Sequence, residues 1–425
     1  MSKLLVISYS GFSDSNANGK TLKALLCKWK NHELAQFYCG AEFEDTDFCS
    51  TFFHVTDKQM LKSFYKKKNS RVVNANKVER NKEFGTLSNT NDNALSSRIR
   101  KYNYNFFFRT LREYLWKVAP WGKREYREWV SNFSPSAIFY MVGESWFMDK
   151  LVLKTAKRHK IPIILYNCEA YRIVNPKDRK GFDRYYYKKV EKSYRKLIKS
   201  SQKIIYNCEF LMDAYQKKYG VHNDELVVHN SSSFDTSNYE ARDGKLKISY
   251  FGNLGVGRVP SLIKVADALN EIKPELSIDV YGKVPNKEDE CALNNHPSIN
   301  FCGLVAPEKL VEIKEESDVL LHVESFEESI AFKLRYAFST KIAQYLCAGR
   351  SVLTYAPAGT ASTKYLQDEG SALVATNEDE LKEYLKRIVE DPSLRQIMSQ
   401  RAAECAHRNH DMDLSAEYVR KKVEE

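Results

Sequence analysis

The segment Phe338-Ser-Thr-Lys-Ile-Ala-Gln-Tyr-Leu-Cys-Ala-Gly-Arg-Ser-Val-Leu-Thr-Tyr355 has the residue types of an anion site. Ser339 and Thr340 are good helix N-caps, and Gly349 stands where a helix stops, before an apolar strand from Ser351 to Tyr355. A helix start with unbonded N–H groups, two hydroxyls and Lys341 close behind attracts negative charge, and a phosphate or diphosphate matches it best. An ordinary capped helix in an α/β sheet would have the same residues. A second run, Tyr250-Phe-Gly-Asn-Leu-Gly-Val-Gly-Arg258, sits between a strand and a helix. Gly252, Gly255 and Gly257, with Asn253 among them, let the backbone approach a ligand, and Arg258 can grip phosphate bidentately. The third glycine of a dinucleotide fingerprint is missing and no acid is placed for a ribose. The run therefore suits a phosphate better than NAD, with a tight strand-to-helix turn as the alternative.

Three carboxylates, Glu144, Glu169 and Glu324, follow apolar strands, where an acid can act as base or hydroxyl acceptor. Each also reads as a helix-capping or solvated acid. His229 and His322 fall within apolar strands and read as core histidines. Asn16-Ala-Asn-Gly-Lys-Thr21 resembles a P-loop, but Asp14 occupies the place of its first glycine. That excludes an ATPase and leaves a loop with Gly19 at a helix start. No His, Cys, Asp or Glu group has metal-ligand spacing, and no serine elbow is present. Neither a metal nor a cofactor is expected.

These residues need a scaffold. A chain of 425 residues, 43% hydrophobic and 28% charged, is globular and too long for one core. Apolar runs stay short of the roughly 20 residues that span a bilayer. The N-terminus passes directly into the strand Leu4–Tyr9, which is no signal peptide. Nine scattered cysteines without a CxxC pair point to a reducing cytoplasm. Of the net charge of +11, residues 241–425 carry −6, which leaves +17 on residues 1–240. Only the first half is suited to a polyanionic surface, and by composition nucleic acid and an anionic membrane leaflet serve equally.

Apolar strands alternate with helical patterns along most of the chain, the signature of parallel α/β sheets. The first series has strands near Leu4–Tyr9, Ala35–Tyr38, Thr51–Val55, Ala137–Val142, Pro162–Asn167, Lys203–Asn207 and Leu226–His229. The second has Lys247–Gly252, Ser277–Tyr281, Ile299–Cys302, Val319–Val323, Val352–Tyr355 and Ala372–Ala375. The expected organisation is a first domain over 1–235, a second over 236–400 and a helical tail over 401–425. Residues 66–98 are polar and mixed in charge, as in a mobile insertion. Aromatic and basic residues then crowd together from Tyr102 to Arg124. As a helix this segment either lies on a membrane surface or packs its rings into the first core. Two such domains imply a cleft faced by strand C-termini.

On these residues the chain resembles the GT-B glycosyltransferases, specifically the large retaining group numbered family four. Ile248-Ser-Tyr-Phe-Gly-Asn-Leu-Gly255 is similar to the group's opening strand and glycine loop, and Ser339–Val352 to its Ser/Thr-Lys-x-x-Glu-Tyr-x-x-x-Gly-x-x-Val block. The resemblance covers about two-thirds of the chain, leaving residues 40–135 without a pattern. It implies two Rossmann-like parallel-sheet domains facing a central cleft. Ser339, Thr340 and Lys341 would hold the diphosphate of a nucleotide sugar, aided by Arg258. Gly303 to Val305 would meet the base, and Gly19 would lie near the sugar and acceptor. The family's ribose-binding glutamate corresponds to Gln344 and its earlier glutamate to Tyr336, so Glu324 would substitute as the carboxylate. Glu144 or Glu169 would stand near the acceptor hydroxyl.

The expected activity is sugar transfer with retention and without metal, from a nucleotide sugar to a glycan or a polyprenyl-diphosphate-linked acceptor. The protein would work in the cytoplasm at the inner face of the membrane, touching anionic lipid through its first domain and binding no nucleic acid. The alternatives are a nucleotide-sugar epimerase of the same architecture and a non-catalytic anion- or membrane-binding protein.

Overall fold

The computed structural model describes residues 3–14, 16–40, 47–65, 71–74, 106–240 and 245–425. Two compact units divide the chain: Met1–Val227 with Ala416–Glu425, and Val228–Ser415. The first holds an eight-stranded sheet of β1 (Leu4–Ser8), β2 (Leu34–Tyr38), β3 (Thr51–His54), β4 (Arg71–Asn74), β5 (Ala137–Met141), β6 (Ile163–Asn167), β7 (Lys203–Tyr206) and β8 (Glu225–Val227). Their order is β4-β3-β2-β1-β5-β6-β7-β8, parallel apart from the antiparallel edge strand β4. Leu4 pairs with Leu34 on one side and Ala137 on the other. Every residue of β1, β2, β5 and β6 is buried, as a sheet covered on both faces requires. Runs such as Leu4-Leu-Val-Ile, apolar without alternation, supply that burial.

The helices that matter here are α1 (Ala17–Leu26), α2 (Phe106–Val118), α3 (Lys123–Phe133), α4 (Trp146–His159) and α5 (Gly181–Ser200). The aromatic-basic segment divides its rings between two faces. Trp116 and Trp121 are buried, whereas Phe107, Leu111, Tyr114 and Val118 are exposed along one side of α2. A buried ion pair fixes α4: Arg172 grips Asp149 at 2.8 and 3.0 Å, and Tyr140 donates to the same carboxylate. The insertion expected over 66–98 lies outside the described residues, apart from β4.

The second unit has six parallel strands, β9 (Ile248–Phe251), β10 (Ile278–Tyr281), β11 (Ile299–Gly303), β12 (Val319–Val323), β13 (Ser351–Tyr355) and β14 (Leu373–Ala375). Their order, β11-β10-β9-β12-β13-β14, comes from helical crossovers. Here α6 (Arg258–Ile272) follows β9, α7 (Thr340–Cys347) precedes β13, and α8 (Ala361–Glu369) follows it. The core gathers Ile248, Tyr250, Leu262, Val280, Leu321 and Leu353. Helix α9 (Pro392–Asn409) ends this unit. Helix α10 (Met412–Glu424) carries the chain back into the first, where Arg420 lies over Trp29 and pairs with Glu33. His229 lies beyond β8 and packs on Phe338 and Tyr365 of the second unit, so it is no strand residue. Among the described residues no helix is long and apolar enough to cross a membrane.

Candidate functional site

Strand β9 ends at Phe251, and Gly252 turns the chain with φ of 140°. Only glycine adopts that conformation easily, and a Cβ there would lie 2.6 Å from Lys341 Cε. The glycine loop and the first turn of α7 therefore touch. Tyr345 reinforces the contact, its hydroxyl donating to the Phe251 carbonyl at 3.0 Å.

Helix α7 begins at Ser339. Asn230 donates to the Phe338 carbonyl at 3.1 Å, and the Ser339 N–H donates to Ser362 Oγ at 3.1 Å. These bonds hold the turn without using its hydroxyl: the Ser339 side chain makes no capping bond. The N–H groups of Thr340 and Lys341 have no acceptor within the helix, as at any helix start. Ser339, Thr340 and Lys341 all remain partly exposed.

The Lys341 ammonium lies 4.6 Å from the Tyr250 ring centre and donates to the Tyr250 hydroxyl at 3.0 Å. Among the described residues no carboxylate pairs with it. Burial pushes its pKa down to about 7, helped by the Arg258 charge and opposed by Glu324. A desolvated cation without a counter-ion, beside open helix N–H groups, is a place for an anion.

Arg258 and Glu324 depart from expectation. Arg258 starts α6 and places Nε and Nη2 on the two Glu324 oxygens, each at 2.9 Å, while Nη1 donates to the Asn253 carbonyl at 3.1 Å. Neither residue is a free charge, so Glu324 does not stand as an open carboxylate for the donor. Its role here is to fix the guanidinium against the glycine loop. Burial works to raise the Glu324 carboxyl, and His322 and Arg258 outweigh it and hold it below the usual range. His322 is buried as the sequence suggested, and burial pushes it down to about 4, leaving it neutral. Among the described residues neither of its ring nitrogens has a hydrogen-bond partner, and Nε2 lies 3.6 Å from the Glu324 carboxylate.

Gly303 ends β11, and its carbonyl accepts from the Gly282 N–H at 2.8 Å. The Gly252 N–H donates to Tyr281 O at 2.9 Å, so Gly252, Gly282 and Gly303 sit side by side at the strand C-termini. Space opens beside Gly303, and Val305 is half-buried. Gln344, one turn into α7, is partly exposed, and among the described residues its amide has no partner. The second unit thus brings together Gly252, Asn253, Arg258, Glu324, Ser339, Thr340 and Lys341. Sequence reasoning missed Tyr250, which appears there only as an apolar strand residue.

The other candidates belong to the first unit. Glu144, just before α4, is paired with Arg109. Glu169, after β6, has no partner for its carboxyl among the described residues, and burial pushes it up to about 7. Tyr215 holds the Glu169 carbonyl at 2.9 Å, and buried Arg172 anchors the same loop. Gly19 is buried against its own loop, where a Cβ would meet Ser13 at 2.7 Å, so packing already requires a glycine there. Among the described residues no group of three or more His, Cys, Asp or Glu is placed to hold a metal.

Residues 261–420 match the family described as "Glycosyl transferase-like". A comparison with curated proteins found no match. Among solved structures, the chain is similar to HepE of Anabaena in complex with UDP, at 10% identity and a TM-score of 0.66 over 99% of both chains. It is also similar to the sucrose-phosphate synthase of Thermosynechococcus elongatus, at 11% identity and a TM-score of 0.59 over 99% of this chain and 98% of that one. A third similarity is to WaaG, a glycosyltransferase involved in lipopolysaccharide biosynthesis, at 13% identity and a TM-score of 0.56 over 98% of both. The fold they share with this chain is two parallel-sheet Rossmann-like domains.

Proposed function

We propose that the chain is a GT-B glycosyltransferase that moves a sugar from a nucleotide diphosphate sugar to a hydroxyl of a glycan or lipid-linked acceptor, a reading supported by its fold and by the glycosyl transferase-like match over residues 261–420. The observation that carries this reading is the Lys341 ammonium, desolvated and without a carboxylate beside the open first turn of α7. HepE binds UDP and UDP-glucose in its solved complexes, which favours a uridine donor here.

The diphosphate takes the Ser339 hydroxyl, the N–H groups of Thr340 and Lys341, and the Lys341 ammonium. Gly303 and Val305 meet the base, and Gln344 bonds the ribose. As the glycosidic bond breaks, negative charge grows on the diphosphate, and these donors are already aimed at it. Each such preorganised contact is worth about 2.7–4 kcal/mol of barrier. Arg258, held by Glu324, adds positive potential from the glycine loop. With protein cations in that place, departure needs no metal, and the configuration at the sugar is retained. Acceptor recognition is assigned to the first unit, with Glu169 rather than the paired Glu144 as the carboxylate that takes a proton. The first unit's excess charge suits work at an anionic membrane face.

A thermal-shift screen of nucleotides and nucleotide sugars against wild type and Lys341→Ala tests this reading. One diphosphate ligand should raise the melting temperature of wild type alone. A flat response across the panel would refute donor binding.

A further inference from the structure

A groove of about 670 Å3 lies within the first unit, between α3, α4 and the C-terminal end of α2. One wall is a single face of α4, where Lys150, Lys154 and Arg158 stand at i, i+4 and i+8, about 6 Å apart along the helix. Lys123 and Arg127 of α3 repeat that interval, and Lys117 and Lys157 also line the groove. The groove has a direction. Its Phe147 end stands in the first turn of α4, next to Glu144 and Ser145 at the C-terminal edge of the strands. Its His159 end lies at the opposite edge, just before β6. About 18 Å of helix separates the two.

Among the described residues no aspartate or glutamate lines the groove, and none of its seven lysines and arginines pairs with a carboxylate. Lys123 and Arg127 donate to the backbone carbonyls of Lys117 and Lys123. Nearby acids are engaged elsewhere: Glu128 pairs with Arg124, and buried Glu113 accepts from Ser145, the Phe147 N–H and Arg112. The cations feel one another. Burial pushes the Lys123 ammonium down, and the Lys154 charge on the other helix adds to it. Burial likewise pushes Lys150 down, with Lys117, Lys189 and Lys154 adding and Glu113 opposing. A row of negative charges laid between the helices would relieve them together.

The spacing selects among polyanions. A lipid headgroup concentrates its charge at one point, whereas these cations run the length of α4. Single-stranded nucleic acid carries charge along its length but stacks its bases on aromatic faces. The rings that line the groove, Trp116, Trp121, Tyr126 and Phe147, are only 1–6% exposed and give bases no platform. A sugar chain with a carboxylate on each residue needs cations at regular intervals and no such platform.

We propose that this groove binds an acidic glycan with a carboxylate on each sugar, and that such a chain is the acceptor, lying along α4 with its end at the strand edge near Glu144 and Glu169. The acceptor role rests on the sugar-transfer reading above; the binding itself does not.

Fluorescence anisotropy of labelled oligogalacturonate with the full chain tests it, in about 0.15 M salt, where screening confines charge effects to about 8 Å. Oligogalacturonate should bind, and a dextran fragment of the same length should not. An exposed ion pair is worth up to about fivefold, so Lys150→Gln/Lys154→Gln should weaken binding about tenfold. Arg127→Gln/Arg158→Gln, one residue from each helix, should do the same. Lys196→Gln/Lys199→Gln, an equal charge loss on exposed α5 positions outside the groove, should stay within about twofold. Lys341→Ala should bind the glycan like wild type, and Lys150→Gln/Lys154→Gln should keep the thermal shift given by the nucleotide sugar, which separates this site from the donor site. Absent oligogalacturonate binding, equal binding of dextran, or equal losses in groove and control pairs would overturn the proposal. So would tighter binding to a DNA oligonucleotide or to phosphatidylglycerol vesicles. With a nucleotide sugar that shifts wild type, oligogalacturonate should speed nucleotide release, and release that ignores it would overturn the acceptor role alone. Unchanged circular dichroism melts keep misfolding out of the comparison.

Discussion

Binding of the donor should draw a proton from solution onto Lys341. Without ligand this ammonium sits at about pKa 7, because it is desolvated and the Arg258 charge adds to that, with Glu324 opposing and a phenol hydroxyl as its hydrogen-bond partner. At pH 8 a group of that pKa is about 9% protonated, and at pH 6 about 90%. A diphosphate bonded to Nζ returns the pKa toward the ordinary lysine range and makes the group fully charged. Binding at pH 8 should therefore take up about 0.9 proton, falling to about 0.1 at pH 6. Isothermal titration in buffers of different ionisation enthalpy reads this number directly as the slope of enthalpy against buffer enthalpy. A nucleotide sugar is the right ligand, since its diphosphate is bridged and has no ionisation of its own near neutrality. The sign for stability follows from the same depression. The ligand-free fold loses stability as pH falls through about 7, and Lys341→Met should lack that loss. Tight binding at pH 8 with no proton uptake, or the same uptake in Lys341→Met, would refute the account of this lysine.

Other outcomes follow from single contacts. Ser339→Ala should leave the melting temperature nearly unchanged, because its hydroxyl makes no cap bond, whereas a capping serine is worth about 1 kcal/mol; donor affinity should still fall, as titration would show. Gly252→Ala should abolish donor binding by forcing the Lys341 side chain aside at a positive φ, measured by thermal shift with and without nucleotide. Glu169→Gln should cost about 10²–10⁴ in turnover if this carboxyl takes the acceptor proton, and should remove the limb of the pH–rate profile near 7. Its raised pKa also means that wild type loses stability as pH rises through about 7, a loss the glutamine lacks in denaturant titrations at pH 6 and pH 8. Arg172→Leu should destabilise the first unit by about 3–5 kcal/mol in urea, because Asp149 is left buried and unpaired.

The sheets were legible because parallel strands buried on both faces are written as unbroken apolar runs. Val319–Val323 has the expected bounds. The strand expected at Leu226–His229 ends two residues early, since His229 packs with Phe338 and Tyr365 instead of pairing. Short Glu328–Leu334 was not expected, because seven residues give too little periodicity to register. In the site, the α7 turn could be read from local residue types alone. The Arg258–Glu324 clamp could not, since it joins residues 66 apart that only the β9–β12 pairing brings together. Tyr250 was hidden for a related reason: one aromatic in a buried strand looks like core until the lysine above it is seen. The choice between Glu144 and Glu169 likewise depended on Arg109, whose partner no spacing rule identifies.

A crystal structure of the chain with its nucleotide diphosphate tests the central claim most directly. The account predicts phosphate oxygens within hydrogen-bond distance of Ser339 Oγ, the Thr340 and Lys341 N–H groups and Lys341 Nζ. A diphosphate bound elsewhere, with Lys341 still resting on Tyr250, would contradict it.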